Sequence, residues 1–439
     1  MKKFDTVILG GGPAGYHAAL LLKKNGVDVA VIEKKYIGGT CLHEGCIPTK
    51  SLLNSAKHIN GQPDVIAIMQ KKHCDVNKLF KGLKYQFQKN NIPIINGLGK
   101  IIDKEGRLLL SVDNEDIYFK HLILATGSHN IEVNIPGLFE SLSSGKAVYS
   151  DGFLDLEIIP DNIAIIGGGV IGLEFASFLC MINRKVTIIE GKNEILNNML
   201  DSDCCTLYRE ALEKSGVNVV TGAIIEEIDG GEITYKLKDD YIEANFDLVI
   251  IACGRKANTE QIGLEVAGIK LKNGFVSVNS NCQTNIPNVY ACGDIIGKSM
   301  LAHSAYLEAE VIVADILGQQ KVLLYDAVPN VIYSNPEVAY VGISEEYCKS
   351  NNIPYYVKKE SMLFSGRYLV EHGSFPGICK MIFSEDGILI GAQMVGNSSS
   401  ETIFTLSDMI ANKTTNEEIV NKCYPHPSFV EIIKEVASL

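Results

Sequence analysis

Two stretches of this chain carry the same hydrophobic signature. DTVILG at residues 5–10 is a short apolar run that stops at glycine, an apolar helical stretch follows from Ala14 to Lys24, and a second run, VDVAVIE, ends at Glu33. Apolar runs of this length bounded by glycine predict strands buried on both faces, and the order strand, helix, strand predicts a parallel βαβ unit. Residues 162–190 repeat the order, with NIAIIGG, an apolar helix, and KVTIIE ending at Glu190. His121 to Ser128 and Val289 to Asp294 read as two more buried strands, each closing in a small-residue turn. From about residue 323 the pattern changes to strands at Val328–Tyr333 and Glu337–Val341 and a hairpin from Cys379 to Gly396 that turns at Glu385-Asp386-Gly387. Helices are predicted over Glu401–Asn412 and Asn416–Lys422, with a last one after Pro427.

Glycine placement makes both units candidate nucleotide sites. Gly10 allows the tight turn, Gly12 lets backbone approach a pyrophosphate, and Gly15 lets helix and strand pack closely. Pro13 and Ala14 open a helix whose first amides suit an anion, and Glu33 suits ribose hydroxyls. Gly167, Gly169, Gly172 and Glu190 repeat the set. The chain is therefore read as α/β, with two Rossmann-like dinucleotide-binding domains, one for a flavin nucleotide and one for a nicotinamide nucleotide. An acid at Glu190 repels a 2′-phosphate and favours NAD over NADP, with Lys192 acting against that preference. The turns at Thr126, Gly127 and Ser128 and at Gly293 suit backbone near a cofactor, and Asp294 reads either as a ribityl acceptor or as a turn residue. Leu301, Ala302 and His303 open a helix whose unpaired amides suit the flavin ring.

Chemistry enters just after the first unit, in GGTCLHEGCIPTK, residues 38–50. Five helical residues advance about 7.5 Å, whereas a disulfide needs Cα atoms within roughly 7 Å, so bridging Cys41 and Cys46 demands an irregular turn. Gly38, Gly39 and Gly45 supply it, and a helix start with Lys50 four residues beyond Cys46 favours a thiolate. A redox dithiol that exchanges electrons with a flavin fits; unremarkable cysteines or half a zinc site are the alternatives, although no metal-ligand spacing accompanies them. Cys204 and Cys205 lie in a helical stretch, Asp203 to Lys214, without glycine or a cation, and read as structural.

Length and composition bound the rest. A chain of 439 residues suggests about three domains. The expected boundaries are 1–145 and 266–322 for the flavin side, 146–265 for the nicotinamide side, and a C-terminal α+β domain over 323–439. A net charge of -12 argues against nucleic acid or anionic membrane as a general partner. There is no run of 18 apolar residues, the N-terminus is read as a first strand and not a signal peptide, and twelve scattered cysteines suit a reducing cytoplasm. Near the other end, His426 stands between Pro425 and Pro427, a rigid mount for a proton-transfer group. Ser428-x-x-Glu431 reads equally as a capping box, so these residues alone leave both roles open.

Taken in order, these motifs resemble the pyridine nucleotide-disulfide oxidoreductases over essentially the full length, and most of all their dihydrolipoamide-oxidising branch. GGTCLHEGCIPTK resembles the active disulfide, GGGVIGLEFAS the nicotinamide loop, ACGRKANT and ACGD the crossover turns, and YPHPSFVE the acid-base motif. His43-Glu44 departs from the commoner Asn-Val. The resemblance implies FAD and NAD as cofactors, with Gly39, Thr40, Lys50, Gly254 and Arg255 added to the cofactor set and no metal. It implies Cys46 as the thiolate against the flavin, Cys41 as the thiol that exchanges with substrate, and Lys50 paired with Glu174 beside the flavin. It further implies a homodimer in which His426, oriented by Glu431, serves the other subunit's disulfide, and dihydrolipoamide of lipoyl proteins as substrate. A relative with another disulfide or metal-ion acceptor, or a redox sensor that does not turn over, are the alternatives.

Overall fold

A computed structural model describes residues 2–59 and 61–439. The chain folds into two compact units, the first built from residues 1–51, 69–132 and 254–323, the second from 52–68, 133–253 and 324–439. Neither is a continuous segment: the first unit's sheet receives the distant strand Val289–Ala291, and the second unit joins 133–253, which holds all of its parallel sheet, to 52–68 and 324–439.

In the first unit β1 (Lys2–Leu9), α1 (Pro13–Lys24) and β2 (Val29–Glu33) form the expected βαβ, with β1 and β2 parallel and Thr6 opposite Val29. Helix α2 (Gly39–His43), α3 (Cys46–Lys57) and α4 (Val65–Lys89) follow. The sheet continues with β3 (Ile94–Asn96), β4 (Lys100–Lys104), β5 (Arg107–Val112) and β6 (Glu115–Leu124), in the order β3-β2-β1-β6-β5-β4. Strand Val289–Ala291 pairs with the end of β6, Val289 opposite Leu122. The parallel strands are buried along their length, because α1, α4 and the helix Ala302–Ile316 cover the face of Ile8, Val31 and Ile123, while β4, β5 and the segment holding Ile262, Leu264, Ile269 and Val276 cover the face of Val7, Ile32 and Leu122. The sequence pattern did not announce β4 and β5, whose mixed exposure hides them among polar turns.

The second unit holds a fully parallel five-stranded sheet in the order Val217–Thr221, Lys185–Glu190, Asn162–Ile166, Leu248–Ile251, Ala147–Tyr149. A three-stranded antiparallel sheet over Ala223–Asp229, Glu232–Leu237 and Asp240–Asn245 is inserted before the last of these strands in sequence, Leu248–Ile251. The C-terminal part is α+β, with a five-stranded antiparallel sheet that includes Ile378–Ser384 and Leu389–Val395, the expected hairpin. Helices Ser399–Ala411, Asn416–Asn421 and Glu431–Ala437 accompany it. The expected strand Val328–Tyr333 shrinks to Asn330–Ile332, since Pro329 has no N–H and the Tyr333 N–H is taken by Glu174. Lys380, 1% exposed, makes ion pairs with Asp201 (3.0 Å), Asp203 (2.9 Å) and Glu345 (2.7 Å), and the Gln393 amide oxygen accepts from Asp201 N. Among the described residues, no helix is long and apolar enough to cross a membrane.

Candidate active site

In the first unit the glycine loop is built by close approach. A Cβ on Gly10, whose φ is +109°, would lie 2.1 Å from Ala125 O, and one on Gly15 would lie 1.9 Å from Gly10 O, so loop, α1 and the end of β6 close only with glycine there. At Gly12, by contrast, the nearest atom to an added Cβ is the Gly39 Cα at 3.9 Å. Gly12 thus lines a cradle beside the first turn of α1, where Pro13 and Ala14 begin the helix. Gly38 N donates to Gly11 O at 2.7 Å, bringing Gly39 and Thr40 onto that cradle. Glu33 spans it: Oε2 accepts from Gly11 N (2.7 Å) and Oε1 from Lys35 N (2.8 Å), which leaves each oxygen a further lone pair for a ribose hydroxyl.

The far wall comes from the two strand ends and the crossover. Thr126 and Asn258 exchange hydrogen bonds, with Thr126 Oγ1 donating to Asn258 O (2.8 Å) and Asn258 Nδ2 to Thr126 O (2.7 Å). Gly127 has nothing within 4 Å of an added Cβ. Ser128 Oγ donates to Asp294 at 2.5 Å and accepts from Arg255 Nε at 2.7 Å, and Arg255 also donates to Ser128 O. Gly254 precedes that arginine at a φ of +112°. Asp294, expected as an acceptor for a ribityl hydroxyl, therefore already accepts one hydroxyl, with capacity for more. Gly293 sits between the Ala14 and Ala305 side chains, and its N–H donates to Glu308. Helix Ala302–Ile316 begins as expected, with Leu301 as its cap residue and an exposed His303 in the first turn.

The two cysteines occupy the irregular turn that their spacing requires. Cys41 lies within α2 and Cys46 opens α3, the chain breaking helix at Glu44-Gly45. The Cys41 thiol hydrogen-bonds Cys46, and that bond together with burial pushes Cys41 up, with the Lys50 ammonium opposing. Cys41 thus holds its proton while Cys46 stands at a helix N-terminus, the position that favours a thiolate. The sequence reading missed Tyr16 and Tyr306. Their hydroxyls hydrogen-bond each other, and burial first, then that bond, pushes Tyr16 up, with the charge of Cys41 and Cys46 adding to it. Tyr16 directly follows Gly15 and Tyr306 stands three residues after His303, so helical periodicity was the available signal.

The second unit repeats the loop. A Cβ on Gly167 would lie 2.5 Å from Ala252 O and one on Gly172 2.2 Å from Gly167 O, whereas Gly169 opens onto space. Glu190 takes Gly168 N (2.6 Å) and Lys192 N (2.7 Å), the same pattern as Glu33. Glu174 is buried on the helix Val170–Met181 and accepts from Tyr333 N at 3.0 Å. His426 is held by Glu431, Nδ1 to Oε1 at 2.7 Å; a carboxylate only accepts, so Nδ1 is the donor and Nε2 carries the lone pair. The capping box is only half made. Glu431 accepts from Ser428 N (2.7 Å), but the Ser428 hydroxyl has no partner among the described residues, and the helix starts at Glu431 with Val430 before it. That backbone N–H, then His426, holds the Glu431 carboxyl below the ordinary range. Cys204 and Cys205 are buried in the helix Ser202–Lys214, and burial lifts Cys205 to about 12, so neither is a thiolate at neutral pH. Among the described residues no group of three or more His, Cys, Asp or Glu is placed to hold a metal ion.

Two dinucleotide cradles and a dithiol at the first of them define a flavin- and nicotinamide-dependent disulfide oxidoreductase. The chain belongs to the pyridine nucleotide-disulphide oxidoreductase family, whose profile matches residues 4–309, with the family's dimerisation domain matching residues 328–437. It is 33% identical to a dihydrolipoyl dehydrogenase of Geobacillus stearothermophilus over 99% of this chain and 96% of that protein, and 35% identical to one of Chlamydia muridarum over 100% and 97%. Among solved structures it is similar to the HOCl-induced flavoprotein disulfide reductase RclA of Escherichia coli in its Cu(II) complex, with a TM-score of 0.90 and 27% identity over 100% of this chain and 99% of that one. The fold is shared with LpdA of Mycobacterium tuberculosis, at a TM-score of 0.87 and 21% identity.

Proposed function

We infer that this protein is an FAD-dependent dihydrolipoamide dehydrogenase that oxidises the dihydrolipoyl group of lipoyl proteins with NAD as acceptor. The observation that carries the reading is the Cys41–Cys46 pair in its helix break, set beside a cradle that only glycine can form at Gly10 and Gly15. Full-length similarity to dihydrolipoyl dehydrogenases supports the substrate. When bound, FAD supplies a two-electron carrier between the dithiol and NAD.

The protein's own groups do the rest. Gly12, Gly39, Thr40 and the first turn of α1 would hold one pyrophosphate and Glu33 a ribose; Gly169 and Glu190 would do the same for NAD, the negative charge of the Glu190 carboxylate selecting against a 2′-phosphate. His426 Nε2 takes a proton from a substrate thiol, and Glu431 stabilises the imidazolium that results. The substrate thiolate attacks Cys41, Cys46 leaves as thiolate, and the second substrate sulfur then displaces Cys41, so that lipoamide departs and both enzyme sulfurs are reduced. Lys50 offsets charge on the dithiol. Residues 1–145 and 266–322 are assigned to FAD, 146–265 to NAD, and 323–439 to the subunit interface of a homodimer in which His426 serves the partner's disulfide.

The test is anaerobic. Dihydrolipoamide added to the oxidised holoprotein is expected to raise a long-wavelength thiolate-to-flavin band that NAD then discharges. A flavin untouched by dihydrolipoamide, but reduced by NADH or NADPH, would point to a different disulfide or metal-ion acceptor and sink this reading.

A further inference from the structure

His426 stands on a stretch of chain that cannot steady itself. Pro425 and Pro427 have no N–H to donate, and the last helix begins only at Glu431. What grips the stretch comes from far away in sequence, from the seven-residue helix Gly366–His372 and from Ser365, which caps it. Ser365 is fully buried, and its hydroxyl makes two bonds. It accepts from Tyr368 N at 3.3 Å, the cap bond of its own helix, and donates to Ser428 O at 2.9 Å, 63 residues on. A cap needs only an acceptor, so the bond to Ser428 uses the donor that capping leaves over.

From Ser428 the bonds run on to the imidazole. Ser428 N donates to Glu431 Oε2 at 2.7 Å, and Glu431 Oε1 accepts from His426 Nδ1 at 2.7 Å. The Ser428 hydroxyl makes no bond among the described residues, so this residue is held by its backbone on both sides, C=O to Ser365 and N–H to Glu431. The same short helix also clamps the next residue. The Arg367 guanidinium lies 4.7 Å from the centre of the Phe429 ring, and the His372 ring stacks on it at 5.8 Å and 24°. Of the ionisable groups this helix brings to the segment, Arg367 is offset by Glu371 at 2.8 Å, and His372 meets it through Phe429.

We propose that Ser365 is a positioning residue for the proton transfer: its hydroxyl fixes the Ser428 peptide and, through it, the Glu431 carboxylate against His426. The proposal rests on the dihydrolipoamide reading above. A carboxylate kept on Nδ1 keeps the lone pair on Nε2 and stabilises the imidazolium, so loosening it lowers both the basicity of Nε2 and the precision with which it is aimed. The wild-type holoenzyme is compared with Ser365→Ala, Ser365→Gly and Ser365→Thr, each alone and in the His426→Gln background. The measurements are kcat/KM for dihydrolipoamide across pH and the rate at which NADH reduces the bound flavin.

Ser365→Ala is expected to lower kcat/KM by about tenfold or more and to move the acid limb of its pH profile to lower pH, with flavin reduction by NADH within about twofold of wild type. Ser365→Thr, which keeps the hydroxyl, should restore most of the loss. Ser365→Gly caps a helix nearly as well as serine, so it should lose as much as Ser365→Ala if the bond to Ser428 is what matters, and it carries the test should the alanine variant not fold. In the His426→Gln background the same changes should cost no more than about twofold, because they act through a group already removed. Wild-type kinetics and pH profile in Ser365→Gly, equal damage to the NADH half-reaction, or a full further loss on top of His426→Gln each overturns the proposal. A wild-type enzyme inert towards dihydrolipoamide would defeat the activity reading itself, a result distinct from an active enzyme indifferent to Ser365.

Discussion

At the scale of single residues the dithiol divides its work by position. Cys41 is inside a short helix, where its hydrogen bond with Cys46 and burial hold its thiol above the ordinary value, whereas Cys46 opens α3. Cys41→Ser and Cys46→Ser should both abolish lipoamide turnover, but only Cys41→Ser should keep a long-wavelength charge-transfer band in the resting enzyme, because only it retains a thiolate at the helix start. A band that survives in Cys46→Ser and vanishes in Cys41→Ser would reverse the two roles. His426 is a separate matter. Its Nδ1 is committed to Glu431, so the whole of its basicity sits on Nε2. His426→Gln should lower kcat/KM for dihydrolipoamide by about 10²–10⁴-fold while leaving reduction of the bound flavin by NADH near wild type. Equal damage to both half-reactions would mean that the residue supports the fold and not the proton transfer.

At the scale of elements, the parts legible in the sequence were those whose physics is local. The two βαβ units could be read because a strand buried on both faces is continuously apolar, and because Gly15 and Gly172 leave room for nothing but hydrogen. An irregular turn between Cys41 and Cys46 was legible from their spacing together with Gly38, Gly39 and Gly45. What escaped depended on partners distant in sequence. The pairing of Tyr16 with Tyr306 joins residues 290 apart. Lys380 sits in what reads as an ordinary strand, Ile378–Ser384, and its value lies in Asp201, Asp203 and Glu345, which no periodicity could bring to it. Burial acts to raise Asp203 and Glu345, but hydrogen bonds from Lys359 and Lys380 to the first, and from Lys349 and Lys380 to the second, bring each to about 2. Carboxyls held that low stabilise the fold fully above their ordinary values of 3.8 and 4.5 and lose that contribution as pH falls through about 2. Burial acts to lower Lys380, but its three carboxylates outweigh that and hold it above its ordinary value, so its contribution is present through the neutral range and is lost only in strong alkali. Lys380→Met leaves those carboxylates without their shared cation and should cost about 3–5 kcal/mol at neutral pH. The gap to wild type should narrow between about pH 4.5 and 2, as the carboxyls take up protons. Differential scanning calorimetry across that range checks both; a gap independent of pH would mean that packing, and not charge, is what the lysine supplies.

At the scale of the whole molecule the question is which chain supplies which half of the chemistry. The His426 side chain is 79% exposed, with its ring hydrogen-bonded to Glu431, and this is an odd station for the proposed base if it is to meet a thiol in a protected site. An imidazole so carefully oriented and so openly presented makes sense if a second copy covers it, and the dimerisation-domain match over residues 328–437 places His426 in the part of the chain that would do so. The arrangement has a quantitative consequence. Take two inactive homodimers, His426→Gln and Cys41→Ser, and let their subunits exchange at equal amounts; random pairing makes about half the dimers hybrid. If each site joins one chain's dithiol to the other chain's imidazole, every hybrid has one site with both groups intact and one with neither. The mixture should then recover about a quarter of wild-type turnover. If instead both groups act within one chain, each hybrid site lacks one of them and the mixture stays inactive. Recovery near a quarter, appearing at the rate of subunit exchange, is the result the shared site requires, and a mixture that exchanges fully yet remains silent would place dithiol and base in the same chain.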